Sequence, residues 1–222
     1  TELVTLHLAH ALRERGHDVE VLSHAYEEGS PEGTIHASTF EGVPVARIVN
    51  NDGFSPTFRL LYDNPLMNRP VLQWIEERKP DVVHIQHVLH LSVSLLRMIP
   101  ALGYPTVLNL HDFFFPCHRI PLIDAQQRLC PGPDRGERCV SCLQDLASEQ
   151  DARRRFTDME RALRAPDVVL TPSRFLTDKI SGYFPFLAGR IRTVAHGVKT
   201  IPGVTWERPP RTPGSPLRIL YV

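Results

Sequence analysis

Two short apolar runs constrain this chain more than anything else in it. Pro80-Asp-Val-Val-His-Ile-Gln-His87 and Pro105-Thr-Val-Leu-Asn-Leu-His111-Asp112 each end in polar, imidazole-bearing residues. An unbroken Val/Ile/Leu run of this length suits a strand covered on both faces, the hallmark of a parallel sheet. Open α/β sheets bind ligands just beyond the carboxyl ends of such strands. His84, His87, His111 and Asp112 are therefore candidate site residues. For His84 and His87, a plain role as satisfied core or helix-capping residues stands as an equal alternative.

The rest of the chain reads as alternating strands and helices. Apolar residues at Leu3, Leu6, Leu8, Ala11 and Leu12 predict a one-faced helix that Gly16 stops. Strands are predicted over 18–23, 42–49, 81–86, 106–110, 167–170 and 191–195. The segment 26–34 reads as a turn region, and Asn51-Asp-Gly53 as a turn. Asn64-Pro65 predicts a helix start, with the helix ending before Pro80. A further helix is expected around 92–99. Ser141-Cys-Leu-Gln144 has the form of a capping box and predicts a long polar helix to about Arg164. Thr171-Pro172 predicts another cap, with a helix over 173–184. The fold class expected is α/β, a Rossmann-like parallel sheet with helices on both faces.

Both ends read as cut. The opening helix implies a strand upstream, and Leu217-Arg-Ile-Leu-Tyr-Val222 reads as a strand with no turn after it. The expected organisation is one domain over 1–200 carrying a Cys-rich insertion at 113–142, a Pro-rich linker over 201–216, and the first strand of a second domain over 217–222. Lys+Arg and Asp+Glu each number 25, so charge gives no case for nucleic acid or an anionic surface. No apolar run is long enough to span a membrane. With no leader sequence recognised, the expected location is the cytoplasm, with the inner face of the membrane a further option.

All four cysteines, Cys117, Cys130, Cys139 and Cys142, fall in one Pro/Gly-rich segment that cannot build a core of its own. Cys139-x-x-Cys142 has the spacing of a metal knuckle, and Cys117 and Cys130 supply a second pair. Structural zinc, disulfides in any of three connectivities and free thiols all remain open. His118 is a spare ligand candidate. Phe113-Phe114-Phe115 reads first as core beneath this segment, and second as an exposed patch that meets a lipid-linked acceptor or a membrane surface.

Four motifs in order, Asp81-Val-Val-His-Ile-Gln-His87, Asn109-Leu-His-Asp112-Phe-Phe-Phe-Pro-Cys117, Thr171-Pro-Ser-Arg-Phe175 and Val194-Ala-His-Gly-Val198, resemble GT-B glycosyltransferases of family 4. The region from His111 to Leu143 resembles the cysteine-bearing loop of one subgroup. The resemblance implies a retaining transfer of a sugar from a nucleotide-sugar donor. This half would take the sugar, glycolipid or small-molecule acceptor, and a C-terminal domain of the same protein would hold the donor. It also implies that His111 faces the reacting sugar, with Asp112 orienting His111 or capping the next segment. Ser173 and Arg174 would meet an acceptor anion, and Gly197 would stand in an acceptor-side turn where His196 replaces a common Asn. Two rival readings are a nucleotide-sugar epimerase of similar fold and a zinc-dependent protein-docking module.

Overall fold

In a computed structural model of the chain, the structure describes residues 1–51 and 57–197. The expected linker over 201–216 and strand over 217–222 lie outside the described residues.

The elements follow the order α1 (Glu2–Arg13), β1 (Val21–Ala25), β2 (Ile35–Phe40), β3 (Val43–Val49), α2 (Pro65–Arg78), β4 (Val83–Ile85), α3 (Leu95–Ala101), β5 (Thr106–Asn109), α4 (Glu137–Cys142), α5 (Glu149–Leu163), β6 (Val168–Thr171), α6 (Arg174–Tyr183) and β7 (Ile191–Thr193). Strands β4, β5, β6 and β7 form an all-parallel sheet in that order. This is the Rossmann-like α/β arrangement expected. The N-terminal strands form a second sheet, β1-β3-β2, in which β1 and β3 are parallel and β2 is antiparallel to β3.

Strand β2 went unread because its exposure does not alternate. Ile35-His-Ala-Ser-Thr-Phe40 has only two half-buried positions, Ile35 and Ser38. Its register comes from a tight turn at Glu41-Gly42, both with positive φ (47° and 79°), which folds it onto β3. A strand held mainly by its partner's backbone carries little hydrophobic signature.

The core lies beneath the parallel sheet. Leu108 on β5 and Leu110 just after it pack with Met159 and Leu163 of α5 and with Leu176 and Ile180 of α6. Helix α5 presents Ala152, Arg155, Phe156, Met159, Ala162 and Leu163 to this core. That is the i, i+3, i+4, i+7 pattern of a one-faced helix. A smaller cluster joins α2 and α3 to the first sheet through Ile48, Met67, Val71, Ile75, Leu95 and Ile99. Phe114 and Phe115 are buried, so most of the Phe run is core, while Phe113 is half-buried.

Two helix starts differ from expectation. Ser141 lies inside the short helix α4; the long helix begins later, with Ser148 as its N-cap accepting from the Asp151 N–H at 3.1 Å. The capping-box pattern at Ser141 loses because Leu143–Ala147 turns the chain between the two helices, through Leu146 and Ala147 N–H bonds to the Leu143 carbonyl. Likewise Ser173, not Thr171, caps α6, accepting from the Leu176 N–H at 3.2 Å. Thr171 ends β6 instead, and its hydroxyl bonds to that of Thr177. By contrast, Asn64 caps α2 as its sequence suggests, accepting from the Leu66 N–H at 3.1 Å.

The two serines give a direct check. Ser148→Ala should lower stability by about 1 kcal/mol, whereas Ser141→Ala should change it by less than about 0.5 kcal/mol. Urea denaturation of both variants measures the difference; equal losses would contradict this assignment of the helix start.

Candidate functional site

Strand β5 ends at Asn109, and the next residues carry the chain off the carboxyl edge of the parallel sheet. His111 therefore emerges at that edge, beside the ends of β4 and β6. Leu110, between them, is anchored by its N–H to the Leu170 carbonyl at 2.8 Å and by its buried side chain.

Two side chains hold the His111 ring, and a third holds one of them. Its Nε2 lies 2.9 Å from Gln86 Oε1, and its Nδ1 lies 3.0 Å from His196 Nε2. The same Gln86 oxygen accepts from Asn109 Nδ2 at 2.8 Å. A carboxamide oxygen only accepts, so His111 carries its proton on Nε2 and offers the Nδ1 lone pair to the His196 Nε2–H. Burial, then the neighbouring His196, push the His111 pKa down to about 4. At neutral pH the imidazole is therefore uncharged, with one fixed donor and one fixed acceptor.

Asp112 does not orient His111. Its Oδ1 accepts from the Phe114 N–H at 2.8 Å, capping the next segment, and its Oδ2 lies 3.4 Å from His87 Nε2. Burial alone would raise the Asp112 pKa, but the bonds from His87 and the Phe114 N–H outweigh it and hold the carboxyl below its usual value. His87 is fixed in turn. Its Nδ1 accepts from the Leu89 N–H at 2.9 Å, and its ring sits 4.9 Å from that of Phe114.

An open cleft of about 400 Å³ lies in front of these groups, within the range of small-molecule sites. His111, Asp112 and Ser173 line its polar side; Phe113, Ile120 and Phe175 are among its apolar walls. Thus His111, Asp112 and Ser173 converge as the sequence suggests, with His87 behind Asp112. His84 sits mid-strand on β4 at the sheet edge, beside Asn109, and does not line the cleft. Arg174 and Gly197 are exposed, the first at the opening of α6 and the second next to His196; neither lines the cleft. Sequence reasoning missed Gln86 and Asn109 altogether, and treated His196 only as a departure from the family's Asn. Gln86 had one available signal, a carboxamide placed at a strand end between two histidines.

Residues 1–201 match the model of Glycosyltransferase Family 4. This chain belongs to glycosyltransferase family 4. No curated protein matches it. Family membership assigns glycosyl transfer in general to a chain whose fold carries the expected parallel sheet. Among the described residues no helix is long and apolar enough to cross a membrane.

The cysteine segment lies beneath the cleft wall. Cys117, Cys130, Cys139 and Cys142 are all free and half-buried, and together with His118 they line one small cavity of about 20 Å³. Burial pushes the Cys117 thiol up and the Cys139 thiol up to about 11. Burial, then Arg155, lowers the His118 pKa to about 4. Among the described residues, no three His, Cys, Asp or Glu side chains stand in ready coordinating positions.

Two half-buried, neutral histidines have a consequence for pH. His111 and His118 stay uncharged in the native state down to about pH 4, while in the unfolded chain they protonate near pH 6.5. The unfolded state therefore binds more protons between these values, and stability falls as pH drops through that window. More than about one pH unit above 6.5 neither histidine contributes appreciable slope. Urea midpoints measured from pH 7.5 to 4.5 should fall on the acid side, and His118→Phe should flatten the fall. NMR titration should place His111 well below an ordinary histidine, and His196→Ala should move it upward.

Proposed function

We propose that this chain is the acceptor-side domain of a two-domain GT-B enzyme. That enzyme moves a sugar from a nucleotide-sugar donor to a sugar, glycolipid or small-molecule acceptor, with retention of configuration. The observation that carries this reading is His111: a neutral imidazole at the carboxyl edge of the central sheet, held by Gln86 and His196, at the mouth of a cleft with apolar walls. A second domain of the same protein would hold most of the donor nucleotide. The cytoplasm, where activated sugar nucleotides and reduced thiols coexist, is the compartment proposed.

In the transfer, the bond between the anomeric carbon and the donor phosphate oxygen breaks. A bond from that carbon to the acceptor hydroxyl oxygen forms, and the acceptor proton passes to the departing phosphate. A histidine with a pKa of about 4 is a poor general base at neutral pH. His111 suits hydrogen bonding instead. A sugar hydroxyl replacing His196 at Nδ1 would donate to a lone pair already aimed, with no ring reorientation. Asp112 would act as a positioning residue, fixing the turn that follows His111 and the His87 ring.

The opening of α6 forms the opposite lip. The Ser173 hydroxyl is engaged in capping, so its contribution to an acceptor would come through the unpaired N–H groups of the first turn. Arg174 is exposed beside that turn and would add charge toward an anionic acceptor group. Phe113 and Phe175, with ring centroids 6.4 Å apart, offer flat apolar faces to a sugar ring or lipid portion.

His111→Ala in the complete protein should reduce turnover by about 10²–10³-fold, the loss typical when one positioned hydrogen-bonding group is removed, while leaving the thermal midpoint near wild type. Turnover within a factor of two of wild type would remove His111 from the reaction. A panel of nucleotide sugars, read by thermal shift on the two-domain protein, identifies the donor: the one that binds the folded state raises the midpoint.

A further inference from the structure

Among the described residues, one buried arginine has no acid paired with it. Arg155 on α5 is only 3% exposed. Its guanidinium donates to the Phe115 carbonyl at 3.3 Å and to the Phe114 carbonyl, and it lies over the rings of Tyr62 and Phe114. Its Nε has no partner. Among the described residues no carboxylate forms an ion pair with it; the ionisable groups acting on it are Cys117, Tyr62 and Cys139. An unpaired charge taken out of water is strongly destabilising, and thiols or a phenol in apolar surroundings are neutral at pH 7. The charge therefore calls for an anion in the direction of the cysteines.

We infer that Cys117, Cys130, Cys139 and Cys142 form a structural zinc site, whose net negative charge balances the buried guanidinium of Arg155. The four cysteines all line one cavity of about 20 Å³, room for a single ion. The Gly132 N–H, two residues beyond Cys130, lies 3.4 Å from Cys130 Sγ, a backbone donor that suits a thiolate, the form that binds metal. Cys139 and Cys142 stand three apart on α4, so they share one helix face. Side-chain rotation is needed to draw the four sulfurs inward, since they are not yet in coordinating positions.

The charges balance. Four thiolates around one Zn²⁺ carry a net charge of minus two, and four protons leave on binding. Arg155 offsets one of the two negative charges, and Arg119 and Arg138 border the same cavity. Because Arg155 also holds the Phe114 and Phe115 carbonyls, the metal would stabilise the turn that carries His111 and Asp112. The inference does not depend on which sugar, or whether any sugar, is transferred.

The test is metal content and affinity on the chain purified under reducing conditions without chelator. The expected result is one zinc per chain, four thiols that react only after metal removal, and a thermal midpoint lowered by chelation. Cobalt substitution should give the visible bands of a tetrahedral thiolate centre. Arg155→Met should weaken zinc at least tenfold in a competition assay, while Arg155→Lys retains most affinity. If Arg155→Met does not fold, Cys142→Ser, at a half-buried position, should still lose the stoichiometric metal. A chain that takes up no zinc and keeps four freely reactive thiols, or one that forms two disulfides and ignores chelator, overturns the inference. So does a zinc affinity equal in wild type and Arg155→Met.

Discussion

The guanidinium of Arg155 ties three parts of the molecule together. It rises from α5, whose other inward residues form the floor of the core, and reaches the carbonyls of Phe114 and Phe115. Those carbonyls belong to the turn that leaves β5, which would otherwise present unpaired acceptors to an apolar interior. The same turn begins with Asp112, whose carboxylate caps the Phe114 N–H. One buried cation thereby fixes the path of the chain after His111. Cys117 and Cys139, which line the cysteine cavity, are among the groups that act on the guanidinium. The path of that turn thus depends on how one buried charge is accommodated.

His111 shows how a parallel sheet prepares a polar group without charging it. The ring leaves the sheet edge between β4 and β6, so its neighbours come from Gln86 at one strand end and His196 just past another. A carboxamide oxygen fixes the tautomer, a second imidazole occupies the remaining nitrogen, and partial burial disfavours protonation. Asp112, adjacent in sequence, serves a different histidine. Sequence neighbours on an extended segment face opposite ways, so His111 and Asp112 address different sides of the turn.

Much of this was legible in the residues. The two apolar runs ending in histidine announce parallel strands, although β4, at the end of its sheet, has half-buried Val83 and Ile85 and an exposed His84, and the Asn64-Pro65 pair marks a helix start that the structure retains. The failures share a cause. β2 is held by pairing with β3 rather than by its own pattern, and Ser141 matches a capping box that the turn after α4 makes irrelevant. In both, a local signal was absent or ambiguous and a tertiary contact decided. Gln86 and Asn109 were overlooked because a carboxamide has no characteristic spacing; only the arrival of His111 from another strand gives Gln86 a role.

The order of strands and helices, the family, and the presence of polar groups at strand ends follow from the sequence by itself, because hydrophobic period and turn chemistry are local properties of the chain. Which polar groups meet is a different matter. His111 with His196 are 85 positions apart, and Phe115 with Arg155 are 40 apart. Their pairing depends on the sheet register and on how α5 lies against the core. Only the tertiary structure could decide that His111 answers to Gln86 and His196, that Asp112 answers to His87, and that a buried arginine lies near Cys117 and Cys139.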